Sequence, residues 1–348
     1  MIGTTLRPSP RTLRASWQTW PCLLAAGLAL AQPCQAGARD PISNLTITYE
    51  NDQFGGRDRY YTTGWQVAWR ATSPMLTDLL VRATPFVSPW LPTDGLVRWG
   101  FGLGQNIYTP EDTRSRVPRL TDRPYAGWLY GSAALSAVTA TSLALVELQF
   151  GVVGPSALGE QVQNNVHRIL AIERSAGWST QLKDEPGVNL ILNRQWRVSR
   201  PFDPANPTGL GWSVVPSVAA SLGNVQTWAG AGAIVKVGKK LDADFGPQRL
   251  RPAAVGSAFF RHDGEWGWYL LAGLEVRAIA HDIFLDGNTW RDSRSVDKKP
   301  LVGDGILGAV LILPRARLTY THTFRSQEFD GQDNRLVQFG SISLSVPF

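Results

Sequence analysis

Along the last stretch of the chain, side-chain character reverses at every residue. Ile342, Leu344, Val346 and Phe348 alternate with Ser341, Ser343, Ser345 and Pro347. Leu318, Tyr320, His322 and Phe324 alternate in the same way with Arg317, Thr319, Thr321, Thr323 and Arg325, and Trp99, Phe101 and Leu103 with Arg98, Gly100, Gly102 and Gly104. A period of two belongs to a β-strand, whose successive side chains point to opposite faces. Here one face is aromatic or aliphatic and the other small or polar, the pattern of a barrel wall in lipid. A soluble sandwich alternates too, but its inward face is more often aliphatic than aromatic. Beyond the N-terminal segment no run of 18 apolar residues occurs, so no helix is expected to span a membrane. The expected fold class is all-β: a transmembrane antiparallel β-barrel.

The N-terminal segment reads as an export signal. Arg7, Arg11 and Arg14 precede a short apolar stretch, Cys22 to Ala31, and small residues follow. Cleavage is expected after Ala31 or Ala36, leaving residues 37–348 as the barrel. Cleavage after Ala36 removes Cys22 and Cys34, the only two cysteines, and with them any disulfide framework or thiolate nucleophile. The formal net charge of +6 falls to about +3 without the three leader arginines, which argues against a nucleic-acid partner. Fourteen Trp and 34 Gly beside only two Met suit an exported β-protein rich in aromatics and tight turns.

Thirteen segments read as strands, from 43–52 to 335–347, with 189–199 and 253–262 among them. Single-chain bacterial barrels have even strand numbers, so one segment must merge or drop out, and about twelve strands are expected. The aromatic terminus Phe348 resembles the signal read by the barrel assembly machinery. One segment breaks the alternation. "PSALGEQVQNNVHRILAIERSAGW", from Pro155, has helical spacing, with Leu158, Val162, Val166, Ile169 and Leu170 on an apolar stripe and Glu160, Gln163, Asn164 and His167 opposite. A helix leaving a barrel strand is not needed for a pore. Of the four histidines, only His167 shares a helix face with a polar residue one turn earlier, Gln163.

"ENDQFGGRDRYYTTG", "DRPYAGWLY" and "GPSALGEQVQNNVH", with "DEPGVNL" as a weaker fourth, resemble the outer-membrane lipid A 3′-O-deacylase (LpxR) family over about Asn44 to Leu190. The resemblance implies a twelve-stranded barrel in the bacterial outer membrane, with an active site near the outer leaflet between wall and helix. It implies hydrolysis of the 3′-linked acyl or acyloxyacyl ester of lipid A, the membrane anchor of lipopolysaccharide. It places the catalytic histidine at His167, with Asn51 and Gln163 as further catalytic residues and Arg123 and Thr63 as substrate contacts. Asp52 and Glu173 are the expected metal ligands.

These residue types suit that chemistry. A neutral His can activate water, and hard carboxylate oxygens suit Ca²⁺, which can polarise a carbonyl and stabilise an oxyanion. Arg123, Arg57 and Arg59 carry forked donors that match phosphate. By strand parity Leu45, Ile47 and Tyr49 point one way and Thr46, Thr48, Glu50 and Asp52 the other, which puts the polar groups of this stretch on the inside of the wall. Tyr60, Tyr61, Trp65 and Trp69 read as an aromatic girdle. Asn51-Asp52 before Gly55-Gly56 is also ordinary turn composition. A non-enzymatic porin or structural barrel and an outer-membrane phospholipase remain as alternatives.

Overall fold

The computed structural model describes residues 43–55, 60–72, 90, 92, 95–169, 173–250, 252–253, 259–333 and 336–347. The export-signal reading of residues 1–36, the candidates Arg57 and Arg59, and the terminal Phe348 lie outside them.

Thirteen strands form one antiparallel sheet: β1 (Asn44–Asn51), β2 (Tyr60–Thr72), β3 (Leu96–Thr109), β4 (Ala126–Val138), β5 (Ser142–Val153), β6 (Glu185–Trp196), β7 (Val198–Pro201), β8 (Gly211–Gly223), β9 (Gln226–Lys239), β10 (Gly267–Asp282), β11 (Leu301–Leu313), β12 (Ala316–Ser326) and β13 (Leu336–Pro347). Chain neighbours pair throughout except β6 and β7, which both pair with β8; with β1 paired to β13, the sheet closes on itself. Closure leaves no strand edge unpaired in hydrocarbon. β7 pairs with β8 in the register already set by β6: Gln195 faces Ser217 and Val198 faces Val214. The two are one stave interrupted at Arg197, and the barrel has twelve staves. The supernumerary segment of the sequence, 253–262, supplies no strand among its described residues. No described helix is long and apolar enough to cross a membrane.

Alternation sorts the wall as expected. Ile47, Val67, Phe101, Leu103, Phe150, Leu274, Leu307, Leu318 and Leu344 are exposed on the outer face, while the residues between them are buried inside. The inside holds part of the chain itself. The connection after β9 turns back into the lumen, burying Phe245, Leu250, Phe259 and Phe260, and its Arg249 donates to Glu275 and Asp304 (3.0 and 3.1 Å). Asp304 also takes Arg325 at 2.8 Å, and Asp244 takes Lys236 and Arg317 at 3.2 and 2.9 Å. The Glu50 carboxylate accepts from the Leu250 main-chain N–H, as its inward parity requires. Tyr60 and Tyr61 are not girdle residues. Both are buried in the interior, Tyr61 against Tyr108 and Phe339 and Tyr60 against Phe329, because a register shift between Tyr61 and Thr63 turns them inward. Trp65 and Trp69 keep the outer face, where Trp69 packs on Trp99 and Phe101.

Short turns at 139–141 and 314–315 lie at the end of the barrel that carries the strand termini Asn44 and Pro347. Connections 110–125, 154–184 and 283–300 leave the opposite end, which by the usual asymmetry of such barrels faces outward. The third contains the short α2 (Ile283–Asp286), which packs its apolar side chains into the mouth of the lumen against Tyr108. The second contains α1 (Gly159–Ile169).

Candidate functional site

β1 ends at Asn51, and the chain then tightens into a 3₁₀ turn, Asp52–Gly55. Parity therefore stops at Asn51, which falls on the outer face with Ile47 and Tyr49. Its amide nitrogen donates to the Tyr49 hydroxyl (3.1 Å) and to Thr63 Oγ1 (2.8 Å), and its amide oxygen caps the turn by accepting from the Gln53 N–H at 2.7 Å. The turn lies flat on the outer wall. Phe54 sits over Gly340, where an added Cβ would come within 2.5 Å of the Phe54 Cβ, and its ring meets Tyr49 and Tyr320 edge-on. The expectation that this polar stretch faces the lumen thus holds for Glu50 and fails for Asn51, while Phe54 of the turn lies on the outer face. The 3₁₀ turn ends the strand alternation at Asn51, and Phe54 within it packs on the outer wall.

α1 belongs to the same outer side. Asn51 pairs with Thr63, Thr63 with Ile107 and Ile107 with Gly127, one rung running across β1 to β4. At Gly127 the lead into α1 comes so close that an added Cβ would stand 3.1 Å from Ala157 and 3.3 Å from the Gly159 nitrogen. Gln105 ties this lead to the wall, donating to the Ala157 carbonyl at 2.5 Å while accepting from the Trp65 indole at 3.0 Å. Ile107 is covered by Trp178, Tyr125 and Val162.

The helix buries the face the sequence marks as polar. Gly159, Gln163 and His167, spaced four apart, are its buried residues, Gln163 and His167 each only 3% exposed. Leu158 and Ile169, from the expected apolar stripe, are 48% and 78% exposed. A helix on a soluble core does the reverse. On the outside of a membrane barrel, apolar side chains are free to meet lipid, and the polar face can be reserved for the wall.

Two contacts orient that face. Gln163 Oε1 accepts from the Trp178 indole at 2.8 Å, while its amide nitrogen is buried without an acceptor among the described residues. His167 Nδ1 lies 2.7 Å from the main-chain oxygen of Glu173. A carbonyl can only accept, so Nδ1 carries the hydrogen and, in the neutral ring, Nε2 is the basic nitrogen. The returning segment is held alongside the helix by Asn164, which accepts from the Ser175 N–H at 2.9 Å, and by the Ala176 N–H, which donates to the Thr113 carbonyl.

Two expected roles change. Arg123 is 1% exposed and points inward, donating to Glu328 at 3.3 Å and covering the face of Tyr108. It closes the mouth of the lumen and is not placed to meet a phosphate on the outer wall; it precedes Pro124 and β4, and the chain there turns its side chain to the interior. The Glu173 carboxylate is 64% exposed and pairs with Arg114 at 2.7 Å, so what Glu173 offers the site is its backbone carbonyl. Asp52 is buried at the turn. Among the described residues no group of three or more His, Cys, Asp and Glu is arranged to hold a metal. As a hard-oxygen ligand Asp52 suits Ca²⁺, while the Glu173 carboxylate is taken up by Arg114. Gln105, Trp178 and Tyr125 were not legible as site residues. The small residue at Gly127 within "DRPYAGWLY" was the available sign that something packs closely there.

Asp122, in the connection beside the site, illustrates its electrostatics. Burial raises its carboxyl to about 6, against the opposing hydrogen bond from the Arg123 N–H.

No curated protein sequence matches the chain. Among solved structures, LpxR from Salmonella typhimurium superposes with a TM-score of 0.69 at 20% identity, over 88% of this chain and all of that one. The β-domain of the Bordetella autotransporter BrkA (TM-score 0.44, 8% identity, 88% of this chain and all of that one) and the translocator domain of NalP from Neisseria meningitidis (0.38, 9%, 94% and 92%) resemble it less. The family model described as outer membrane protein LpxR matches residues 22–348, and with the closed barrel it shows that this chain belongs to the LpxR family of outer membrane proteins.

Proposed function

We propose that the chain is a lipid A deacylase that hydrolyses the 3′-linked acyl or acyloxyacyl ester with a water activated by His167. Family membership and the barrel support the coarser reading, an outer-membrane lipid A deacylase. The observation that carries the finer one is the inverted helix: α1 turns Gln163 and His167 to the outer wall and leaves Leu158 and Ile169 exposed. A barrel needs no such helix, whereas an enzyme acting on a lipid of the outer leaflet needs polar chemistry at the outside of its wall.

In the proposed reaction, His167 donates through Nδ1 to the Glu173 carbonyl and accepts a water proton at Nε2. The hydroxide attacks the ester carbonyl, whose π electrons move to oxygen. The buried Gln163 amide is a donor suited to that oxyanion. Collapse breaks the bond to the sugar oxygen, which takes the proton from Nε2, releasing a fatty acid and a free 3′-hydroxyl. Thr63 Oγ1 already accepts from Asn51, so its own hydrogen can be donated to substrate, and Asn51 acts by holding Thr63 and the Asp52 turn in place. Ca²⁺, held by Asp52 with oxygens of water and substrate, would add positive charge at the developing oxyanion. The last strand, β13, is the element the barrel assembly machinery would read.

Purified protein in detergent, offered lipid A and phospholipid side by side, tests this. Release of the 3′ chain from lipid A, suppressed by a Ca²⁺ chelator and restored by Ca²⁺, is expected. Hydrolysis of phospholipid alone would support the phospholipase reading instead, and full activity in excess chelator would remove the metal.

A further inference from the structure

We propose that a second polar subsite for the substrate headgroup lies on the same outer face, at Tyr320, His322 and Gln338, two strands from Asn51. The identity of the ligand as lipid A rests on the deacylase reading; the subsite itself rests on the wall.

The rung that carries Asn51, Thr63, Ile107 and Gly127 also runs the other way. Asn51 pairs with Gly340 of β13, and Gly340 with His322 of β12. At a strand spacing of about 4.8 Å, His322 stands about 10 Å along the wall from Asn51. Its side chain is on the lipid side: Leu318 and Tyr320 before it are exposed, while Arg317, Thr319, Thr321 and Thr323 between them are buried within. Gln338 shares this outer face with Ile342 and Leu344.

These polar groups form a relay with a defined direction. His322 Nε2 lies 3.2 Å from Gln338 Oε1, which can only accept, so Nε2 carries the hydrogen. Nδ1 then accepts from the Tyr320 hydroxyl at 3.3 Å. The chain ends in the Gln338 amide group, two N–H donors on an exposed residue. They suit the oxygens of a sugar hydroxyl or a phosphate.

A tyrosine at this level suits the aromatic girdle of a barrel, but a histidine and an amide bonded to it on the outer face cost free energy in lipid. The cluster is not part of a polar ring around the wall, for the next position on the rung is Leu307 of β11, exposed and apolar. It is instead continuous with the site. Phe54, seated on Gly340, touches Tyr49 beside Asn51 on one edge and Tyr320 on the other. A headgroup with its ester at α1 can extend over Phe54 and meet the Gln338 amide. With Arg123 turned inward, this cluster provides outer-face donors for the part of the headgroup remote from the ester.

The test compares wild-type protein with His322→Leu and Gln338→Leu on two substrates. One is lipid A; the other is a single-sugar lipid carrying the same ester and no second sugar. Folding is checked by heat-modifiable gel mobility, and Leu344→Ala serves as a wall control. Loss of a hydrogen bond is expected to raise KM for lipid A about three- to tenfold, more than it lowers kcat, and to leave KM for the single-sugar lipid where it was. Equal KM changes on both lipids, or none on either, would overturn the subsite. Retention of lipid A by native mass spectrometry separates this outcome from failure of the deacylase reading. Weaker retention in both variants upholds the subsite even if wild-type protein hydrolyses neither lipid, and retention equal to wild type overturns it.

Discussion

Polar side chains are buried on both sides of this wall, and to different ends. In the lumen, charge meets opposite charge: Asp304 is ringed by Arg249, Arg277 and Arg325, and Asp244 by Lys236 and Arg317. On the outer face, beneath α1, the buried groups are a histidine held by a backbone carbonyl and an amide whose nitrogen has no acceptor among the described residues. The first arrangement joins the lumen segment to four strands. The second leaves the Gln163 amide nitrogen as a buried donor without an acceptor among the described residues. The same residue classes are mutually paired as charges in the lumen and are held by neutral hydrogen bonds beneath α1.

Breaking each side separately sharpens the contrast. The largest effect is expected in the lumen. Asp304→Ala leaves three arginines around an empty position and should cost about 3–5 kcal/mol, read as a lower denaturant midpoint, with the activity of molecules that remain folded little changed. An equal loss of specific activity would show that the lumen and the outer site are not separable. Next, Gln163→Leu should lower kcat by about ten- to a hundredfold without moving the midpoint by more than about 1 kcal/mol, since it removes an oxyanion donor while keeping a side chain of similar size. A large stability loss with normal kcat would assign Gln163 to packing under Trp178. Glu173→Gln tests whether the carboxylate matters. The His167 contact is to the backbone, so activity should stay within about threefold of wild type. A collapse in activity together with weaker Ca²⁺ dependence would return the carboxylate to the metal site. The smallest effect is a pH slope. Asp122 is raised to about 6 by burial, so the folded protein holds a proton that the unfolded chain has released. That contribution is fully present below the carboxyl's usual 3.8 and is lost as pH rises through about 6. Denaturation followed from pH 4 to 7 should show this slope, and Asp122→Asn should flatten it.

The barrel was legible because its signal is redundant. Alternation recurs in strand after strand, and single errors such as 253–262 or the break at Arg197 do not alter closure. The helix was legible as a helix, and the family motifs marked His167, Gln163 and Asn51. What parity could not carry was the step past the end of a strand. Asp52 was extrapolated inward from the strand, but the chain leaves the strand for a 3₁₀ turn at that residue, where alternation no longer sets direction. Arg123 was misread for a related reason. An arginine in a loop motif looks like a ligand-binding residue, and its partner Glu328 lies more than two hundred residues away in sequence. Which helix face would be buried was also beyond the pattern, because amphipathicity shows that two faces differ and not which solvent each will meet. His322, read as an ordinary wall residue, gains its interest only from the rung that places it beside Gly340 and Asn51.

Mass spectrometry of lipid A from otherwise identical cells carrying the wild-type chain, the His167→Ala chain or neither most directly probes the idea that chemistry occurs between α1 and the outside of the wall. Wild-type protein should remove the 3′ chain, and His167→Ala, present in the outer membrane at equal level and fully folded, should leave it in place, with a loss of at least about a thousandfold in rate. Lipid A that loses the chain equally with both proteins, or with neither, would contradict it.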